Sequence, residues 1–172
     1  LQGLGQGAQP IISYNYGAKN VDRVRATYKM LLKVSLAYSC LLWLLVILFP
    51  QGFAAMFTTD PELMQYMKTA LRIYMAAACL FGIQIACQMT FNALGRAVES
   101  IVVAVVRKFV LLIPLIYIMP AILSTDKALA VYMAEPAADV IAVAFTAILF
   151  AVQFKKTLGK LDTPKAEAKS QA

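Results

Sequence analysis

The 172 residues are 61% hydrophobic and only 15% charged, with a formal net charge of +7 and no histidine. Soluble domains carry about a quarter charged residues, so this much apolar surface exceeds what one aqueous core can hide. Without histidine the commonest general base and the imidazole metal ligand are excluded; the basic residues gather at the ends of apolar runs, as membrane topology requires, so no nucleic-acid partner is expected.

Residues 1–16 ("LQGLGQGAQPIISYNY") read as the end of a truncated transmembrane helix. Gly3, Gly7 and Ala8 offer small surfaces for close helix approach, and Gln6 and Gln9 can bond neighbours or face a cavity. Pro10 allows a bend, Tyr14 and Tyr16 suit a membrane–water boundary, and Gly17 reads as the helix stop. Residues 17–29 form a basic connection, and over 17–33 Val21, Val24, Tyr28 and Leu31 stand at helical spacing, either a short interfacial helix or a loop lying on the headgroups.

Residues 30–50 predict a transmembrane helix that stops at Pro50. After "TTDPEL", where Thr59 or Asp60 can cap and Pro61 suits a first turn, residues 62–95 predict one long helix ending at Gly95. It is longer than a bilayer is thick, so Lys68 and Arg72 should project beyond the hydrocarbon or snorkel. Two more transmembrane helices are predicted at 99–123, with Pro114 inside, and at 127–155, with Pro136 inside; 156–172 is polar and charged, hence a disordered cytoplasmic tail. Alternating these spans places nearly every Lys and Arg on one side, Lys68, Arg72 and Lys127 excepted, so that side is cytoplasmic. Arg107 and Lys108 are expected to snorkel back to it.

Polar groups within the spans need a role, because a charge at mid-bilayer costs about 2.5 kcal/mol or more. Gln84, Gln88 and Asn92 recur every four residues, as an amide stripe that either lines a cavity or bonds neighbouring helices. Glu135 and Asp139 are four apart around Pro136, with no Lys or Arg adjacent in sequence. They either sit near the outer interface or line a cavity for an ion, a proton or a cationic substrate, and if close they would share a proton near neutral pH. Pro10, Pro114 and Pro136 are candidate hinges. Cys40, Cys79 and Cys87 fall in apolar runs without metal spacing, and no nucleophile–base pair or phosphate loop occurs, so neither an enzyme nor a metal or organic cofactor is expected.

"GQGAQPIISYNYGAKNVDRV", "FNALGRAVESIVVAVVRKFVLLIPLIYIMP" and "AEPAAD", in this order, resemble stretches of the multidrug and toxic compound extrusion (MATE) transporters. The resemblance covers nearly the whole chain to about Lys160. It implies an all-α integral membrane fold of twelve helices in two bundles of six, of which this chain would hold the end of helix eight and helices nine to twelve. It further implies alternating access, export of organic cations and amphipathic drugs against sodium or proton influx, and a multi-pass location in a bacterial inner membrane beside the N-terminal bundle of the same protein. Some sodium-coupled members carry an acid in the tenth helix, whereas residues 63–94 here contain none. Two rivals are a lipid-linked oligosaccharide flippase of the same superfamily, which should present cationic residues in its cavity, and a non-transporting scaffold, for which the acids and amides would be needless.

Overall fold

Long apolar runs broken by Asn, Asp, Gly and Pro become a chain of helices in the computed structural model, which describes residues 1–123 and 127–170, with side chains up to residue 159. In order these are α1 (Gln2–Gly17), α2 (Val21–Leu48), α3 (Pro50–Ala55), α4 (Pro61–Tyr74), α5 (Phe81–Ala93), α6 (Ala97–Val105), α7 (Ile113–Ile122) and α8 (Lys127–Ser170). A 3₁₀ turn, Ala78–Leu80, precedes α5, and a π-helical stretch, Val106–Leu112, joins α6 to α7.

Local chemistry sets the ends. Asp60 accepts the Glu62 N–H at 2.9 Å, with Pro61 in the first turn of α4 where its missing N–H costs nothing. Helix α5 closes on a left-handed residue, Gly95 at φ 72°: the Arg96 N–H bonds the Phe91 carbonyl and the Gly95 N–H bonds that of Asn92. Helix α1 ends in the same pattern, with Asn20 and Lys19 donating to Asn15 and Tyr16. The left-handed position there belongs to Lys19 at φ 54°, two residues beyond the glycine expected to stop the helix. Asn20 then caps α2 by accepting the Arg23 N–H at 3.3 Å.

Three helical stretches are long and apolar enough to cross a membrane: Val21–Leu48, Ala97–Ile122 and Lys127–Gly159. Pro61–Tyr74 and Ala78–Ala93 qualify together as a fourth, bent by 42°. Only 6% of the apolar window in Ala97–Ile122 is buried within the protein, so its remaining surface suits lipid. The expected long helix over 62–95 is thus broken at Met75–Ala77, and the basic connection 17–29 is not a separate element, its second half being the start of α2. The start of the expected disordered tail is instead helical: Thr157 and Leu158 are buried within α8, whose backbone continues to Ser170. Side chains from Lys160 onward lie outside the described residues.

Helix α2 packs on α1 and α5, and α8 packs on α4, α5, α7 and the π stretch. Helices α2 and α5 approach closely at Gly82, where a Cβ would lie 2.5 Å from the Ser35 carbonyl oxygen. The Ser13 hydroxyl donates to the Ala93 carbonyl at 2.8 Å, so the ends of α1 and α5 meet at the basic end of the bundle. Ile12, Val24, Leu31, Ala86, Leu94 and Leu158 form the core there. A second cluster of Cys87, Phe91, Val103 and Phe150 adjoins it, with the Tyr28 ring stacked on Phe150 at 4.6 Å.

Candidate functional site

Helix α6 starts at Ala97, so Arg107 lies about 15 Å along the apolar span Ala97–Ile122 at 1.5 Å per residue, near its middle. The backbone is π-helical at this point, with the Ile113 N–H bonding the Lys108 carbonyl five residues back. Pro114 follows at the start of α7 and removes the N–H that an α-helix would give to Val110. The wider π pattern offers carbonyls a donor one residue further on.

From this turn the Arg107 guanidinium reaches α8. Its Nε donates to Asp139 Oδ1 at 2.7 Å and its Nη2 to Glu135 Oε1 at 3.2 Å. The guanidinium carbon sits 4.6 Å from the centre of the Phe81 ring, within cation–π range. Lys108 Nζ approaches Glu135 at 3.6 Å but keeps half of its side chain exposed. The Arg107, Glu135 and Asp139 side chains are 13%, 15% and 9% exposed. Burying such charges is tolerable only because they satisfy one another.

The two acids therefore do have basic neighbours, 28 and 32 residues away in sequence for Arg107, and they share its guanidinium. Arg107 does not snorkel to the basic end; adjacency in sequence concealed the pairing that helix packing creates.

A cavity of about 480 Å³ opens beside this cluster, within the size range of small-molecule sites. Trp43 of α2, Phe53 of α3, Tyr74 of α4 and Phe81 of α5 give aromatic walls; Arg107, Glu135 and Asp139 give the polar floor. The Trp43 Nε1 is buried with no hydrogen-bond partner among the described residues. The bend after Tyr74 brings Met75 and Ala78 to the same wall, so the broken helix shapes the cavity.

The other polar residues singled out from sequence lie apart from this floor. Gln84 is buried and its Oε1 lacks a partner among the described residues. Gln88 Nε2 donates to the Ser100 carbonyl at 3.5 Å, tying α5 to α6, and Asn92 is half-buried near the basic end. On α1, Gln6 and Pro10 are exposed and Gln9 is half-buried. Pro136 sits beside Glu135 inside a helix that runs on through it, and Pro114 borders the π stretch. A second arginine emerged only in three dimensions: Arg96 Nη1 donates to Gln153 Oε1 at 2.7 Å and Thr157 Oγ1 at 2.9 Å, while its Nε pairs with Glu99 at 2.9 Å.

Several membrane-length apolar helices, with ion-paired charges at mid-span beside an aromatic-walled cavity, mark a polytopic membrane protein. The MatE family pattern matches residues 1–118, and the chain belongs to the MATE family of transporters, which are not enzymes. An FAD transporter of Shewanella oneidensis is 28% identical over 115 residues, covering 67% of this chain and 25% of that protein. The MATE multidrug transporter DinF-BH, solved with a small molecule bound, superposes with a TM-score of 0.81 at 32% identity over 91% of this chain and 34% of its own. The MATE transporter VcmN of Vibrio cholerae in its bent form shares the fold, with a TM-score of 0.74 at 19% identity over 90% of this chain and 34% of that chain. The chain thus spans about a third of the solved transporters and a quarter of the FAD transporter.

Proposed function

We propose that this chain is one bundle of a secondary active exporter that works with a second, N-terminal bundle to extrude organic cations and amphipathic drugs. Exchange for sodium or protons would proceed by alternating access, with the basic end facing the cytoplasm of a bacterial cell. The observation that carries this reading is the pair Glu135 and Asp139 at the floor of an aromatic-walled cavity. Ring faces there accept a flat cation and the carboxylates supply its counter-charge; a proton or sodium ion arriving at the same oxygens removes that counter-charge and favours release. Gln6 and Gln9, on the open side of α1, would face the second bundle, and Gln84, Gln88 and Asn92 would add polarity near it. Pro10, Pro114 and Pro136 would permit the bending that alternating access needs.

The test uses the full-length transporter that carries this chain, expressed in an efflux-deficient bacterium, with ethidium accumulation as readout. Glu135→Gln and Asp139→Asn should each raise accumulation toward that of cells without the transporter. Export equal to the parent in both variants, at equal expression, removes the carboxylates from the mechanism.

A second reading has specific support. Arg107 is a cation at mid-span beside the cavity, which removes the sequence-based objection to an anionic substrate, whether a lipid-linked oligosaccharide pyrophosphate or a flavin dinucleotide. The similarity to an FAD transporter favours the flavin. Secreted FAD, measured in the same strains, separates the two: loss with Arg107→Gln alongside unaffected ethidium levels supports the anion carrier.

A further inference from the structure

We propose that Arg107 is a built-in competitor for the transported cation: its guanidinium occupies the cation site made by Glu135, Asp139 and the Phe81 ring, and a substrate binds there by displacing it. The inference rests on the cation-exporter reading and adds to it a residue that sets affinity and selectivity.

Three features of the site are those that recognise a planar organic cation, and Arg107 satisfies all of them. Two carboxylates receive two different nitrogens of one fork, at 2.7 and 3.2 Å, and an aromatic face lies 4.6 Å from the guanidinium carbon. An arginine present only to neutralise buried acids would be walled in by packing. This one borders a cavity of about 480 Å³, so a second cation has room to approach the same oxygens.

The charges favour exchange over permanent closure. One guanidinium faces two carboxylates, and Lys108 adds only a longer contact of 3.6 Å from a half-exposed side chain. An arriving monocation therefore meets carboxylates held closely by one guanidinium and only loosely by the half-exposed Lys108. The longer Arg107 bond, to Glu135 at 3.2 Å, is the weaker of the two that the guanidinium must give up.

Arg107 also has a way out. It stands in the π stretch Val106–Leu112, which holds more residues per turn than an α-helix. Rewinding that turn to α shifts the register by one residue, about 100° around the helix axis, and swings the guanidinium off α8 while the flanking α6 and α7 stay helical. Removal of Arg107 should accordingly tighten cation binding, whereas removal of a merely structural ion pair would weaken it.

The experiment is ethidium titration, by fluorescence, of the purified full-length transporter in lipid nanodiscs. Arg107→Gln should bind ethidium about tenfold more tightly than wild type. The gain should vanish in a triple variant that adds Glu135→Gln and Asp139→Asn. Arg107→Lys, which keeps a charge but cannot fork to both carboxylates, should bind a few-fold more tightly than wild type. If Arg107→Gln does not fold, judged by its melting transition, the Lys variant carries the test alone. Wild-type or weaker affinity in whichever folded variant is measured overturns the competitor role, while ethidium export by wild type in cells keeps the exporter reading intact. Absence of ethidium binding in wild type and in every folded variant overturns both.

Discussion

Gly82 of α5 faces the Ser35 carbonyl of α2 so closely that a Cβ would stand 2.5 Å from the oxygen and 2.7 Å from the Ser39 hydroxyl oxygen. The Ser39 hydroxyl itself donates to the Cys79 carbonyl at 2.8 Å, so α2 is fastened to the entry of α5 at this crossing. Small residues permit such close approach where no hydrophobic force drives helices together.

Gly82→Ala should therefore destabilise the protein by about 1–3 kcal/mol, because the obstruction is backbone and cannot rotate away. Gly3→Ala, which meets nothing within 4 Å, should leave the melting temperature in detergent unchanged. Equal melting of the two variants would mean that α2 and α5 are not in contact here.

The two helix ends with left-handed residues should respond with opposite signs. Gly95→Ala places a Cβ at φ 72° and should cost about 1 kcal/mol. Lys19→Gly relieves a side chain at φ 54° and should gain about 0.5–1 kcal/mol. Lys19→Ala removes the same charge without relieving the backbone, so it should give no gain. Thermal unfolding of the three variants is sufficient.

Arg96 holds α8 through two hydrogen bonds, to Gln153 and Thr157. Arg96→Ala should cost about 1–3 kcal/mol and speed amide exchange in α8 around residues 153–158. Arg96→Lys keeps the attraction to Glu99 but cannot reach both acceptors and Glu99 at once, and should fall between. Unaltered exchange in Arg96→Ala would show that α8 is held by its apolar face alone.

The aromatic cluster at the basic end gives a further contrast. Tyr28 stacks on Phe150 at 4.6 Å and lies tilted against Phe154 at 5.1 Å, and its hydroxyl makes a long 3.7 Å contact with the Cys87 sulfur. Tyr28→Phe should change stability by less than about 1 kcal/mol, while Tyr28→Ala should cost about 3–5 kcal/mol by opening a cavity. A loss in Tyr28→Phe as large as in Tyr28→Ala, measured by thermal unfolding, would move the weight from the rings to the hydroxyl.

The spans themselves were legible because bilayer thickness fixes the length of an apolar run, and Asp60–Pro61 announced the start of α4. The break at Met75–Ala77 was not, since "MAAAC" contains neither Pro nor Gly and small apolar residues fit a straight helix equally well. Gly17 drew the helix stop because glycine is the usual left-handed residue, yet the capping bonds fall two residues later on Lys19. Glu135 and Asp139 stood out as costly acids four apart. Their partner did not, because the start of an apolar run is a poor measure of depth: the helix begins at Ala97, ahead of the run predicted from 99, and the π stretch turns Arg107 toward α8. The amide stripe on α5 was visible as a spacing, but only packing reveals that Gln88 ties α5 to α6 while the cavity floor belongs to α8 and the π stretch.

Arg96 and Arg107 arise from opposite ends of one short stretch of chain and grip α8 at two heights, at Gln153 with Thr157 and at Asp139 with Glu135. Two such grips, added to the packing of α8 on α4, α5 and α7, oppose both sliding and tilting. Were the inner grip released, the outer one would remain as a pivot for the half of α8 that carries Pro136.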